Sequence, residues 1–319
     1  MHLNQNQKFN IISKSSSLRQ KAAVNLIILI MNVYPCFSQN TERTAKKELG
    51  ANLQKLAGEF LFAEGPASDN QGNIYFTDQP RDRIMLWSTD GELSTFMQPS
   101  GRSNGLFFDS ENNLWACADE KNELWIIRPD KTVIKIPLFF EGKKLNGPND
   151  LWISPSGGIY FTDPFYKRPW WDHKSMPQEK QSVYYLCKDH KTVKRVADDL
   201  IQPNGIVGTS DGKRLFVSDI GGNKTWSYTI ENNGMLTNKV LFCEMGSDGM
   251  TIDKRGNIYL TGRGVTIFNK NGILTGTIDV PENWTGNVCF GGKKKRTLFI
   301  TASKGLYCIK LRKKPMGAD

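Results

Sequence analysis

The chain has 319 residues, with 42 Lys and Arg against 32 Asp and Glu, for a formal charge of +10. Lys8, Lys14, Arg19 and Lys21 lie in the first 38 residues, so the rest carries +6, a balance that requires no nucleic-acid partner. Six cysteines without a Cys-x-x-Cys pair speak against a disulfide framework or a thiolate zinc site and predict buried free thiols.

The first element in chain order is a leader. Residues 8–21 are basic and polar, and an apolar stretch from Ala22 to Val33 precedes Tyr34-Pro35-Cys36-Phe37-Ser38. The pattern reads as a secretory signal over residues 1–38, cleaved near Ser38 or Gln39, with an uncleaved N-terminal anchor as the rival reading. Its apolar part is short for a membrane span and no later run is longer, so no stable span is expected after cleavage. The expected location is the periplasm or the exterior. Residues 39–57 read as a linker and 58–319 as one domain.

Within that domain one phrase returns six times, ending at Asp78, Asp119, Asp163, Asp219, Gly262 and Thr301. Its best-preserved forms are Gly72-Asn73-Ile74-Tyr75-Phe76-Thr77-Asp78 and Gly158-Ile159-Tyr160-Phe161-Thr162-Asp163. The steps between phrase ends are 41, 44, 56, 43 and 39 residues, the period of a four-stranded propeller blade. Each phrase alternates aromatic with small or polar residues, as a strand does, and such a strand cannot bury its faces alone. Stacking around an axis solves that problem. The fold class is therefore all-β, a six-bladed propeller of four-stranded antiparallel blades. Asp90-Gly91, Asn233-Gly234 and Asn271-Gly272 read as hairpins between outer strands. The run Lys293-Lys294-Lys295-Arg296 reads as a solvated loop rather than a phosphate patch.

A propeller gathers polar residues where loops converge on its axis. Just upstream of the repeated strands stand Glu64 in Phe62-Ala63-Glu64-Gly65-Pro66, Asn104 in Ser103-Asn104-Gly105, Asn149 in Asn146-Gly147-Pro148-Asn149-Asp150, Asn204 in Gln202-Pro203-Asn204-Gly205, and Asp248 in Gly246-Ser247-Asp248-Gly249. Taken singly, each is a routine turn former. At one register in five blades, they amount to an oxygen-rich set suited to Ca2+, with Mg2+ or Mn2+ as substitutes and Zn2+ less natural because no histidine joins.

With these motifs, residues 58–310 resemble the SMP-30/gluconolactonase/LRE-like family, also called regucalcin-like lactonases. The resemblance also rests on Tyr160-Phe161-Thr162-Asp163-Pro164. It implies a divalent cation near the axis held by Glu64, Asn204 and Asp248, with Asn149 at or near metal and substrate, and it implies a small-molecule lactone such as glucono-1,5-lactone as substrate. Where vertebrate-type members place an Arg before the Asn-Asp pair, this chain has Asn146-Gly147-Pro148, a pattern closer to bacterial gluconolactonases.

In the chemistry so implied, Asp248 orients or deprotonates water, Asn104 and Asn149 contact ring or carbonyl oxygens, and Glu64 and Asn204 fix the cation. No Gly-x-Ser-x-Gly elbow offers a serine nucleophile. The 56-residue step contains Phe165-Tyr166-Lys167-Arg168-Pro169-Trp170-Trp171-Asp172-His173, read either as a lid whose Arg168 and His173 touch substrate or as an ordered loop packed on neighbouring blades. An arylesterase or organophosphate hydrolase using the same cation, and a noncatalytic binding propeller, are the alternative functions.

Overall fold

Residues 53–310 are described by a computed structural model; the candidate leader and most of the 39–57 segment lie outside them. Among the described residues, six four-stranded antiparallel sheets form the blades of a propeller, with one further two-stranded ribbon, Phe139–Phe140 with Lys143–Lys144. The inner strands are Ala63–Ser68, Ser103–Phe108, Leu151–Ile153, Pro203–Gly208, Met250–Ile252 and Thr285–Gly291, defining blades 1 to 6 in chain order. All six recurring phrases form second strands: Ile74–Asp78, Leu114–Ala118, Ile159–Asp163, Arg214–Asp219, Ile258–Gly262 and Thr297–Ala302.

Burial follows from the stacking. Leu114–Ala118, Ile159–Asp163 and Ile258–Gly262 are buried at every position, because neighbouring blades cover both faces. Outer strands such as Leu93–Met97 are largely exposed. The three expected outer hairpins form, and Gly91, Gly234 and Gly272 take the positive φ their turns require. Cys117, Cys243, Cys289 and Cys308 are buried free thiols, while Cys187 is half-buried. Lys295 departs from the solvated-loop reading. It is half-buried, and its ammonium donates to Ser68 Oγ at 2.9 Å, tying blade 6 to blade 1.

The ring closes with the start of the described chain. Gln54–Ala57 pairs antiparallel with Gly305–Lys310, bringing Gln54 opposite Cys308, and supplies the outer strand of blade 6. The propeller thus begins before residue 58, inside the segment read as linker. The pairing was invisible locally because Gln54-Lys55-Leu56-Ala57 has no strand partner within 240 residues of it. A chain starting at residue 58 leaves the blade 6 edge open and is expected to melt several degrees below one starting at residue 42, at about 2–4 °C per kcal/mol lost. Thermal melts of the two chains, compared directly, test this; equal melting temperatures would dismiss a structural role for the strand.

Candidate active site at the propeller axis

The acidic ending of the recurring phrase has a structural task. Asp78 accepts the backbone N–H groups of Leu61 and Phe62, Asp163 those of Asn146 and Gly147, and Asp219 those of Ile201 and Gln202. Each carboxylate thereby ties down the loop that leads into its own blade's inner strand. Thr77 and Thr162 then donate to the backbone carbonyls of Asn104 and Asn204 in the following blades, at 3.0 and 2.7 Å. The polar residues at the axis are held by these bonds before any ligand is considered.

Blade by blade, the inner strands crowd together. A Cβ on Gly65 would lie 2.0 Å from the Asn104 carbonyl oxygen, and one on Gly249 would lie 2.0 Å from Asn287 Cγ. Gly105 meets Asn149 and Asp150 in the same way, and Gly286 meets Glu64. The glycine beside each polar residue is the space in which the next blade's polar residue sits. Blade 3 is the exception: Asp150 follows Asn149, and its carboxylate crosses the axis to accept from Asn287 Nδ2 at 3.3 Å.

Glu64, Asn104, Asn149, Asp150, Asn204 and Asn287 are all buried, and Asp248 is partly accessible. Asn204 Nδ2 donates to Asp248 Oδ1 at 2.6 Å and to the Tyr166 hydroxyl at 2.5 Å. Trp284 Nε1 donates to Asp248 Oδ2 at 2.6 Å. Glu64 Oε2 accepts from the Gly65 N–H at 2.7 Å. Burial, then the charge of Asp248, push the Glu64 carboxyl well above the usual carboxylate range, with Asp150 adding to the effect. Burial raises Asp150 to about 7 and lifts Asp248 as well, although Trp284, Asn204 and Arg168 oppose the latter shift. Asn104 and Asn149 make no side-chain hydrogen bond among the described residues, so their amides are available to a ligand.

Crowded, desolvated carboxylates with elevated proton affinity are what a divalent cation relieves. The residues fit such an ion. No group of three or more His, Cys, Asp or Glu suited to a metal occurs among the described residues, so amide oxygens would complete the set. That composition favours a hard cation over zinc. A cavity of about 1410 Å³ is lined by inner-strand residues such as Leu106, Ile206 and Val288, by outer-strand residues of blade 2 such as Ile134 and Ile136, and by Asp150 and Asn287.

The blade 3 insertion is packed rather than free. Trp171 is buried against Gly147, where a Cβ would lie 2.3 Å from the indole. His173 stacks on Trp171 at 4.7 Å, and its Nε2 lies 2.8 Å from the Asn146 carbonyl oxygen. His173 therefore packs within the loop, and among the described residues it makes no contact with Glu64, Asn204 or Asp248. Arg168 lies nearer: its guanidinium covers the Tyr166 ring at 4.7 Å and lowers the proton affinity of Asp248. The sequence reading assigned no role to Tyr166, Trp284, Asn287 or Asp150. A signal existed for Asn287, since Gly286-Asn287 stands upstream of the sixth phrase with the usual order inverted.

Known proteins share this architecture and sequence. A gluconolactonase of Zymomonas mobilis is 28% identical over 300 residues, covering 85% of this chain and 83% of the relative. The lactonase drp35 of Staphylococcus aureus is 29% identical over 271 residues, covering 80% of each. The solved structure of a Xanthomonas campestris gluconolactonase superposes with a TM-score of 0.77 at 27% identity, covering 85% of this chain and 93% of that one. A calcium-binding regucalcin from Agrobacterium tumefaciens shares the fold, with a TM-score of 0.69 at 17% identity over 83% of this chain and 96% of that one. The family model for the SMP-30/gluconolactonase/LRE-like region matches residues 62–304, and the chain belongs to that family.

Proposed function

We propose that the chain is a divalent-cation-dependent lactonase that opens a sugar-type lactone such as glucono-1,5-lactone to its hydroxy acid, with Ca2+ as the resident ion. The observation that carries this reading is the meeting of Glu64, Asn204 and Asp248 at one point on the axis. The gluconolactonase and lactonase names of its relatives support it.

Glu64, Asn204 and Asp248 would hold the ion, with Asn149 beside them. When bound, the cation supplies positive charge that polarises an acyl oxygen. The chain's own residues account for the rest. Trp284 and Asn204 fix both oxygens of Asp248, so this carboxylate is presented in one orientation to the attacking water. Asn104 and Asn149 offer unused amides to ring and carbonyl oxygens. The backbone hydrogen bonds from Thr77 and Thr162 keep Asn104 and Asn204 in place while the substrate turns over. Water adds to the acyl carbon as Asp248 takes its proton, the ring C–O bond breaks, and the leaving alkoxide takes up that proton.

The test is the initial rate of glucono-1,5-lactone hydrolysis, corrected for spontaneous opening, after chelation and again after adding Ca2+, Mg2+, Mn2+ or Zn2+. We expect chelation to abolish the enzymatic rate and Ca2+ to restore it. A folded protein without cation-dependent turnover of this or any related lactone would end the assignment.

A further inference from the structure

Four of the recurring phrases end in aspartate, and three of these carboxylates receive two backbone N–H groups each from their own blade's loop. Asp119 breaks the pattern. In blade 2 the equivalent loop is held by Asp82, which accepts from the N–H groups of Ser100 and Arg102. Asp119, only 2% exposed, is left to bind side chains: it accepts from Trp170 Nε1 and from Gln79 Nε2, each at 2.9 Å, and Arg168 Nε lies 3.6 Å away. Arg102 covers the Trp170 ring at 4.7 Å. A residue that closes a loop elsewhere in the ring here latches the insertion of the next blade.

The latched segment carries Tyr166 to the axis. Its hydroxyl oxygen accepts from Asn204 Nδ2 at 2.5 Å, and Arg168, itself beside Asp119, stacks over its ring. A phenol has one O–H to give. Among the described residues no protein acceptor takes it, and the hydroxyl stands close enough to Asp248 and Glu64 to feel both charges. A donor held from two sides, with its proton unused and its tip in the site, is preorganised for a ligand oxygen.

Resting on the lactonase reading, we infer that Tyr166 is a substrate-contacting catalytic residue, whose hydroxyl donates a hydrogen bond to the acyl oxygen on which negative charge develops as water attacks the ester. No proton leaves Tyr166 in this step. The contact strengthens as charge accumulates, so its contribution belongs to kcat rather than to KM.

The experiment compares wild type with Tyr166→Phe in the full chain, measuring kcat and KM for glucono-1,5-lactone with Ca2+, together with the rise in melting temperature that Ca2+ causes. Loss of about 10²-fold in kcat, with KM nearly unchanged and the Ca2+-induced rise intact, is expected. A variant with wild-type kcat overturns the inference. A variant that loses the Ca2+-induced rise along with kcat also overturns it, because Tyr166 would then act only by positioning Asn204. If wild type hydrolyses neither this nor any related lactone, the parent reading fails and takes the inference with it, and the silence of the wild type tells that failure apart from the others.

Discussion

Asp248→Ala is expected to lower kcat for glucono-1,5-lactone by on the order of 10²-fold or more, with the propeller still folded. The carboxylate is the one group at the axis that meets Asn204, Trp284 and the charge of Glu64 together. Its removal strips the attacking water of its orienting oxygen and the cation of a ligand. Two opposing changes leave folding nearly intact. Glu64 loses the neighbouring charge that disfavours its ionised form, while Trp284 Nε1, on a half-buried ring, loses its acceptor, a cost below the about 1–3 kcal/mol of a fully buried donor. Asp248→Asn separates the roles, since an amide oxygen can still accept from Trp284 but cannot serve as a base. If the Asn variant keeps wild-type kcat, Asp248 is a ligand and not the group that activates water. Steady-state kinetics on both variants, with calorimetric melts alongside, decide the matter.

The second large effect concerns the cation and changes sign between two conditions. For wild type, Ca2+ at about a hundred times its dissociation constant adds about 2.7 kcal/mol to stability. At about 2–4 °C per kcal/mol, the melting temperature should rise by about 5–11 °C. Glu64→Gln should lose most of that rise. In chelator, however, the same variant should melt above chelated wild type, because a neutral amide removes a buried carboxylate from beside Asp248 and Asp150 while an amide oxygen can still accept from the Gly65 N–H. Scanning calorimetry with chelator and then with Ca2+ gives both readings from one pair of samples. An unchanged Ca2+-induced rise in the variant would remove Glu64 from the ligand set.

The blades were legible because Tyr75, Phe76 and Thr77 and their counterparts do the same work six times, and a repeated task leaves a repeated phrase. Much of the site was legible for a related reason. Glu64-Gly65, Asn104-Gly105, Asn204-Gly205 and Asp248-Gly249 each pair a polar group with the gap its neighbour needs, so crowding at the axis is written into adjacent residues. What stayed hidden depends on contacts made once. Trp284 reaches Asp248 across 36 residues and Tyr166 reaches Asn204 across 38, with nothing local to announce either meeting. His173 stood open between substrate contact and a packed loop, since its stacking on Trp171 depends on how the insertion folds and has no local sequence signal. Closure by Gln54–Ala57 was hidden in the same way, its partner strand lying at the far end of the described chain.

That closure bears on when the enzyme comes into being. Gln54 and Cys308, which sit side by side, are 254 residues apart, and the polar set at the axis draws a member from every blade, ending with Asn287 in the last. A nascent chain therefore lacks part of this set until the last blade has been made. Gln54–Ala57, which contributes no member to the set, acts on the site only by closing the ring around it.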